Sequence, residues 1–431
     1  MGQIILFAVP IIIGNLLQQL YSVADTIIVG KTLGNIKLAA VGSTSALNFL
    51  AVGFVIGLTG SCTVLIAQYY GAQDETAMKK SVAAHLLIAV VSSILLALLF
   101  VVSAAPMLRL LHTTDATFPY ALYYITIIYA GIPATMLYNL TASLLRSIGD
   151  SKTPLILLIV SSFLKIGLDF LFILVFHWDV RGAAAATILS QVLSGMLCCV
   201  LLGRNAAFLI PDRISWNGIG HMVWEELRIG IPMGLQSSVI AVGMMVLQFF
   251  VNSFGDDAVS AYTIGNRLQI LIQAPLFSMS IVMATFVGQN VGANRYDRIR
   301  SGVRQSAVIF AVLGFAVGMG VKLFSAQLIG LFTASTENGI ILFAENYLKW
   351  ACPMEWSLAV LFVYRGALQG LKDGFTPMIG SFLEVGMRVL FPAILCAALG
   401  FTAISLAGPA AWTASAVLMP IVYAKKIRSK G

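Results

Sequence analysis

An all-α polytopic membrane protein, with about twelve transmembrane helices in two six-helix lobes, is the expected architecture. Three features point to it. Of 431 residues, 59% are hydrophobic and 10% charged, and the mean hydropathy is +0.93, which soluble globular domains do not approach. Apolar runs of roughly 20 residues or more, enough to cross a hydrocarbon core of about 30 Å, follow one another from end to end. The lysines and arginines gather in alternate loops, the positive-inside pattern of membrane proteins. The net charge of +8 is therefore a topology signal, and no basic face forms that would serve a nucleic acid. Cys62, Cys198, Cys199, Cys352 and Cys396 lie in apolar runs without metal or redox spacing and read as small core residues. His85, His112, His177 and His221 are scattered and make no metal set. No cofactor, metal or enzymatic activity is expected.

The first span, 4–29, carries Asn15, Gln18, Gln19 and Asp25 in otherwise apolar sequence, with Pro10 near its start. A carboxylate at the centre of a spanning helix costs about 2.5–3.5 kcal/mol on insertion scales, so it usually faces a partner or a water-filled cavity. A cap at an interfacial helix end is the plainer reading of Asp25, and the functional one is favoured. Pro10 removes a backbone hydrogen bond and gives the helix a hinge. No basic n-region or cleavage site precedes this segment, so it reads as a spanning helix and not a signal peptide. Spans 38–69 and 82–105 follow. Span 120–145 brings Tyr124, Tyr138 and Asn139, candidates for a cavity lining, although tyrosines near span ends more often form the interfacial belt. Span 154–176 holds Lys165 and Asp169, four apart and so stacked on one helix face. Span 183–203 completes the first set.

Residues 204–228 are polar and interrupted by Pro211, Gly218 and Gly220. They read as a cytoplasmic linker, with Trp216 and Trp224 on a surface amphipathic helix. Span 229–251 has Pro232 and Gln236 but no acid. Span 258–290 carries Arg267, which either lines a cavity or snorkels to the interface. Spans 304–325 and 340–368 lead to 377–399, where Glu384 and Arg388 repeat the four-residue spacing and read as a satisfied pair. Span 401–423 is the last. Lys79, Lys80, Arg146, Lys152, Arg204, Arg213, Arg228, Arg295, Arg298, Arg300, Arg304, Lys372 and the tail to Lys430 fall on one side. The other side holds Lys31, Lys37, Arg109, Arg181, Lys322 and Lys349. That bias puts both termini in the cytoplasm, and the protein in the inner membrane.

The sequence repeats itself at about 220 residues. The stretch from Ile66 to Gln73 matches Val287 to Asn294, Leu33–Gly34 to Ala39–Ala40 matches Phe254–Gly255 to Ser260–Ala261, and Arg146 to Pro154 matches Gln369 to Pro377. Gln68 thereby pairs with Gln289 and Pro154 with Pro377. Six spans per half give the halves one orientation, related by a pseudo-two-fold along the membrane normal. The expected organisation is a first lobe 1–203, a linker 204–228 and a second lobe 229–431.

The stretches Pro10 to Gly30, Gly34 to Gly42, Ile66 to Gln73, Leu145 to Pro154, Gly182 to Gln191 and their second-half copies resemble, in this order, the multidrug and toxic compound extrusion (MATE) family. The resemblance implies a V-shaped pair of six-helix lobes, and export of organic cations by antiport against protons or sodium. It also implies a cation pocket in the first lobe at Asp25, Lys165, Asp169 and Thr187. Lys165 stands where many relatives have Asn. An ammonium there supplies three donors and a fixed charge, takes the place of a sodium ion, and favours protons. The seventh span lacks the acid of some sodium-linked relatives, and Gln236 lies in it instead. Gln18, Tyr124, Asn139 and Gln236 are the cavity candidates, and Glu384, Arg388 and Arg267 the buried charges of the second lobe. The expected partners are a small amphipathic or cationic substrate, a coupling ion and the lipid bilayer, with a monomer as the working unit. A flippase for a lipid-linked or phosphate-bearing substrate is the alternative, because Lys165, Arg267 and Arg388 could be recruited to an anion. A membrane enzyme would need clustered acids, and Asp256–Asp257 alone does not suffice.

Overall fold

The structure is a computed structural model and describes residues 1–111, 113–211, 218–330 and 338–429. His112, Trp216, Arg213 and Lys430 lie outside the described residues. Among the described residues, sixteen α-helices run in the order α1 (Gly2–Leu33), α2 (Asn35–Ser43), α3 (Ser45–Gly71), α4 (Glu75–Leu110), α5 (Phe118–Ala130), α6 (Ile132–Ser147), α7 (Lys152–Phe170), α8 (Asp179–Asn205), α9 (Ile219–Asn252), α10 (Asp256–Gly292), α11 (Tyr296–Leu323), α12 (Ser325–Gly330), α13 (Asn338–Ala351), α14 (Glu355–Gly370), α15 (Phe375–Leu399) and α16 (Phe401–Arg428). Among the described residues there is no strand. Among the described residues, ten candidate spans are long and apolar enough to cross a bilayer, and α5 with α6, bent by 46° at Gly131, form an eleventh. α13 and α14, joined through the short turn Cys352–Met354, hold the corresponding place in the second half, which brings the set to the expected twelve. Each is too short to span alone.

The chain divides into two compact units, Val9–Ser238 and Met1–Ala8 with Val239–Gly431. Both show the same neighbours. In the first, α3 packs on α6, α6 on α8 and α7 on α8; in the second, α10 packs on α14, α14 on α16 and α15 on α16. Backbone irregularities repeat as well. Gly34 and Gly255 precede helices with φ of 83° and 90°, and Gln73 and Asn294 lie just past the ends of α3 and α10 with φ of 57° and 53°. The carbonyls of Gln68 and Gln289 each accept the N–H of the following cap residue, Ala72 and Ala293. Gly149 and Lys372, at matched positions, are both left-handed, with φ of 93° and 65°. Asp150 and Asp373 then accept backbone N–H groups at the start of α7 and α15, each at 3.0 Å.

Apolar side chains explain the packing. α4 turns Val90, Ile94, Leu98 and Val102 outward, as a lipid-facing stripe requires, while Ser81, His85 and Ser93 face inward. In Val9–Ser238, Tyr129 is fully buried and donates to the Leu47 carbonyl at 3.1 Å. In the other unit, Tyr262 and Tyr347 meet edge-to-face at 5.2 Å.

Three expectations are corrected here. Residues from Ile219 onward are the first turns of α9 and not a separate surface helix. Trp224 is exposed there, but Glu226 is fully buried. Arg267 is not a buried charge: Ala261, Tyr262, Gly265, Leu268 and Gln269 make the buried face of α10, and Arg267 falls on the opposite, exposed one. Cys199 is exposed, whereas its neighbour Cys198 on α8 is buried.

Candidate functional site

The first unit holds a buried ion triad. Lys165 on α7 reaches Asp25 of α1, with Nζ to Oδ1 at 2.6 Å, and Asp169 one turn further along α7, with Nζ to Oδ2 at 3.0 Å. The lysine lies between the two acids because i and i+4 stack on one helix face and α1 presents Asp25 to that face. Side-chain exposure is 17% for Asp25, 6% for Lys165 and 0% for Asp169, so Asp25 is the most exposed of the three. Two carboxylates and one ammonium leave a net −1, which one proton or one monovalent cation cancels. Asp169 Oδ1 is buried without a hydrogen-bond partner. Immediately after Asp169 the helix widens into a π-turn, Leu171–Val175, and irregular turns of this kind occur often at functional sites.

The other residues expected at this site have contacts of their own. Thr187 donates to the Ala183 carbonyl of its own helix at 3.0 Å. Asn139 donates to the Thr135 carbonyl at 2.8 Å, and the Thr135 hydroxyl donates to Gln191. Tyr124 is buried in the apolar core. Gln236 is buried on α9 and Gln18 exposed on α1. Pro10 is buried, and α1 continues through it without interruption.

In the second unit, Glu384 and Arg388 of α15 are buried as expected, but their pairing is corrected. Glu384 Oε1 receives Arg365 Nη2 of α14 at 2.5 Å, whereas Arg388 stands 4.0 Å from the other oxygen. Glu355, at the start of α14, is fully buried and accepts from Gln269 and Gln273 of α10 at 3.0 and 3.1 Å, while Tyr347 donates to Gln269 at 2.6 Å. Sequence reasoning passed over Arg365 and Glu355, although the signal that marked Asp25, an ionisable group inside an apolar run, marks both. It also missed Glu226, which accepts from Ser81 at 2.7 Å and meets His85 Nδ1 at 2.6 Å on α4. No group of metal ligands occurs among the described residues.

A duplicated set of apolar helices, with ionisable clusters buried inside each unit, defines a multi-pass membrane transporter. The family model MatE matches the chain twice, over residues 10–171 and 232–394, so the repeat seen in the sequence is a repeat of the family unit itself. This chain belongs to that family, the multidrug and toxic compound extrusion transporters. It is 30% identical over 407 residues to the probable multidrug resistance protein YpnP of Bacillus subtilis, covering 94% of this chain and 90% of that one. It is 29% identical over 340 residues to the probable multidrug resistance protein YoeA of the same organism, covering 77% and 73%. A crystal structure of a mutant of the Vibrio cholerae MATE transporter VcmN superposes with a TM-score of 0.92 over 99% of this chain and 97% of that chain, at 21% identity.

Proposed function

We propose that this chain is a secondary antiporter that exports organic cations and other amphipathic drugs in exchange for protons by alternating access, with Asp25, Lys165 and Asp169 as the coupling site. The observation that carries the reading is the position of Lys165, bonded at 2.6 and 3.0 Å to carboxylates on two different helices. With Asp25 ionised, the ammonium clamps α1 to α7. A proton arriving at Asp25 removes that half of the bridge, leaves Lys165 paired with Asp169, and frees α1 to bend at Pro10. The substrate need not touch Asp25, provided that its affinity differs between the two shapes of α1. Sodium is disfavoured because the ammonium occupies the place between the acids that a metal cation needs. The names of YpnP and YoeA support a multidrug substrate, and the loop charges support an inner-membrane protein with both termini cytoplasmic.

The phosphate-substrate alternative requires uncommitted cations. Lys165 is held by two acids, and Arg388 stands 4.0 Å from Glu384, so both buried cations of that reading lie beside a carboxylate, which favours a cationic cargo. Drug efflux from proteoliposomes under an imposed pH gradient tests the proposal. Asp25→Asn is expected to insert and fold normally but to reduce proton-driven efflux to the background rate. Lys165→Asn is expected to make efflux respond to a sodium gradient. Undiminished proton-coupled efflux by Asp25→Asn would remove the coupling site. Unchanged ion selectivity in Lys165→Asn would remove the role given to lysine.

A further inference from the structure

Where α11 begins and α16 ends, a cleft of about 650 Å³ opens against α14. Arg300 and Arg428 line it together with Tyr364, Tyr423, Pro420 and Ile427, and no carboxylate does. Arg300 gives one bond to the Ile427 carbonyl at 3.3 Å, and the remaining donors of its guanidinium fork are available. The rings of Tyr364 and Tyr423 meet edge-to-face at 5.3 Å. Tyr423 is only 6% exposed, yet its hydroxyl has no hydrogen-bond partner, an uncommon state for a buried polar atom. The acid on the adjoining loop, Asp373, is taken up by Lys426 at 2.6 Å. Arg304 and Lys425 are exposed on the same two helices, outside the cleft lining.

We propose that this cleft binds a phosphate group, either the headgroup phosphodiester of an anionic lipid or the phosphate of a soluble ligand. Two guanidinium forks match phosphate oxygens bidentately, and the Tyr423 hydroxyl, now orphaned, gains an acceptor. Pro420 and Ile427 offer an apolar wall to the part of the ligand beyond the phosphate. Basic clefts between membrane helices hold anionic headgroups in this way. The site lies within one unit, contains none of the triad residues, and stands or falls independently of the transport reading.

The test uses the purified full-length chain in neutral detergent, titrated with short-chain phosphatidylglycerol and, separately, with inorganic phosphate against chloride at matched ionic strength. Binding is read from the saturable rise in melting temperature. Arg300→Gln and Arg428→Gln are each expected to weaken phosphatidylglycerol binding about fivefold. Tyr423→Phe should weaken it by less, and Lys425→Gln, outside the cleft lining, should leave it unchanged. Saturation by the lipid alone identifies a headgroup site; saturation by inorganic phosphate, abolished by the same substitutions, identifies a soluble ligand. The proposal is overturned if neither probe saturates, if the cleft substitutions are without effect, or if Lys425→Gln weakens binding as much as Arg300→Gln does.

Discussion

Glu384 separates what residue spacing can fix from what it cannot. Two ionisable residues four apart on a helix share a face, and for Lys165 and Asp169 that rule led straight to a 3.0 Å contact. For Glu384 and Arg388 the same rule gave a 4.0 Å approach, because a guanidinium from another helix held the carboxylate more closely. The membrane makes any charge in an apolar run conspicuous, so the charged members of the first-unit triad were legible. The partner across a helix interface was not, since spacing reports only neighbours on one helix. Removing one member of a buried pair strands the other at about 3–5 kcal/mol. Arg365→Met and Glu384→Met should each lower the melting temperature of the detergent-purified protein, and the double variant should recover most of the loss. The corresponding cycle for Glu384 and Arg388 should show the smaller coupling. A larger coupling to Arg388 than to Arg365 would reverse the assignment.

Among elements, α14 shows how a broken span is held in place. It is short, it follows a break at Cys352–Met354, and it relies on close approach to α10. A Cβ added at Gly366 would lie 2.2 Å from the Ser280 carbonyl oxygen, and one at Gly370 2.7 Å from Val287. Small residues four apart let membrane helices touch backbone to backbone. Gly366→Val must push α14 off α10, at about 1–3 kcal/mol or more, and should reduce both folded yield and melting temperature; unchanged values would mean that this contact does not hold the pair together. Most spans read from hydropathy are shorter than the helices that contain them. Hydropathy falls where polar residues begin, but helical hydrogen bonding continues into the headgroup zone, so α4 starts at Glu75 and not at 82, and α9 at Ile219 and not at 229. The loop between α14 and α15 has its own titration. Burial works to raise the Asp373 carboxyl, but hydrogen bonds from Lys426 and Thr376 prevail and hold it below the ordinary carboxylate value. Its contribution is therefore full above the unfolded carboxylate pKa of about 3.9 and is lost as pH falls through the lower folded value. With Lys426 partly exposed, the contribution is about 1 kcal/mol or less. Lys426→Met should be less stable by that amount at neutral pH and equal to the unaltered protein at the acid end of a melting series; a difference that persists in acid would assign the effect to packing.

At the scale of the whole molecule, the duplication was legible because three matched stretches kept one register, and the family model matches each half separately. The seam between the units was less so. Polar, glycine-interrupted sequence ordinarily marks a boundary, which points to 204–228. Packing assigns residues up to Ser238 to the first unit. Glu226 is fully buried against Ser81 and His85, and Gly234 lies so close to Gly57 that a Cβ there would stand 2.5 Å from its backbone. The start of α9 is on this reasoning part of the first unit's core. A fragment ending at residue 203 removes the carboxylate that satisfies Ser81 and His85, at about 1–3 kcal/mol for each polar group left buried without a partner, and uncovers the glycine face of α3. A fragment running to residue 252, the end of α9, keeps both. The longer fragment should survive detergent extraction as a monodisperse, cooperatively melting species, and the shorter one should aggregate. Glu226→Gln in the longer fragment should move its melting temperature toward the shorter one. Equal stability of the two fragments would return the seam to the polar linker and reduce Glu226 to a bystander.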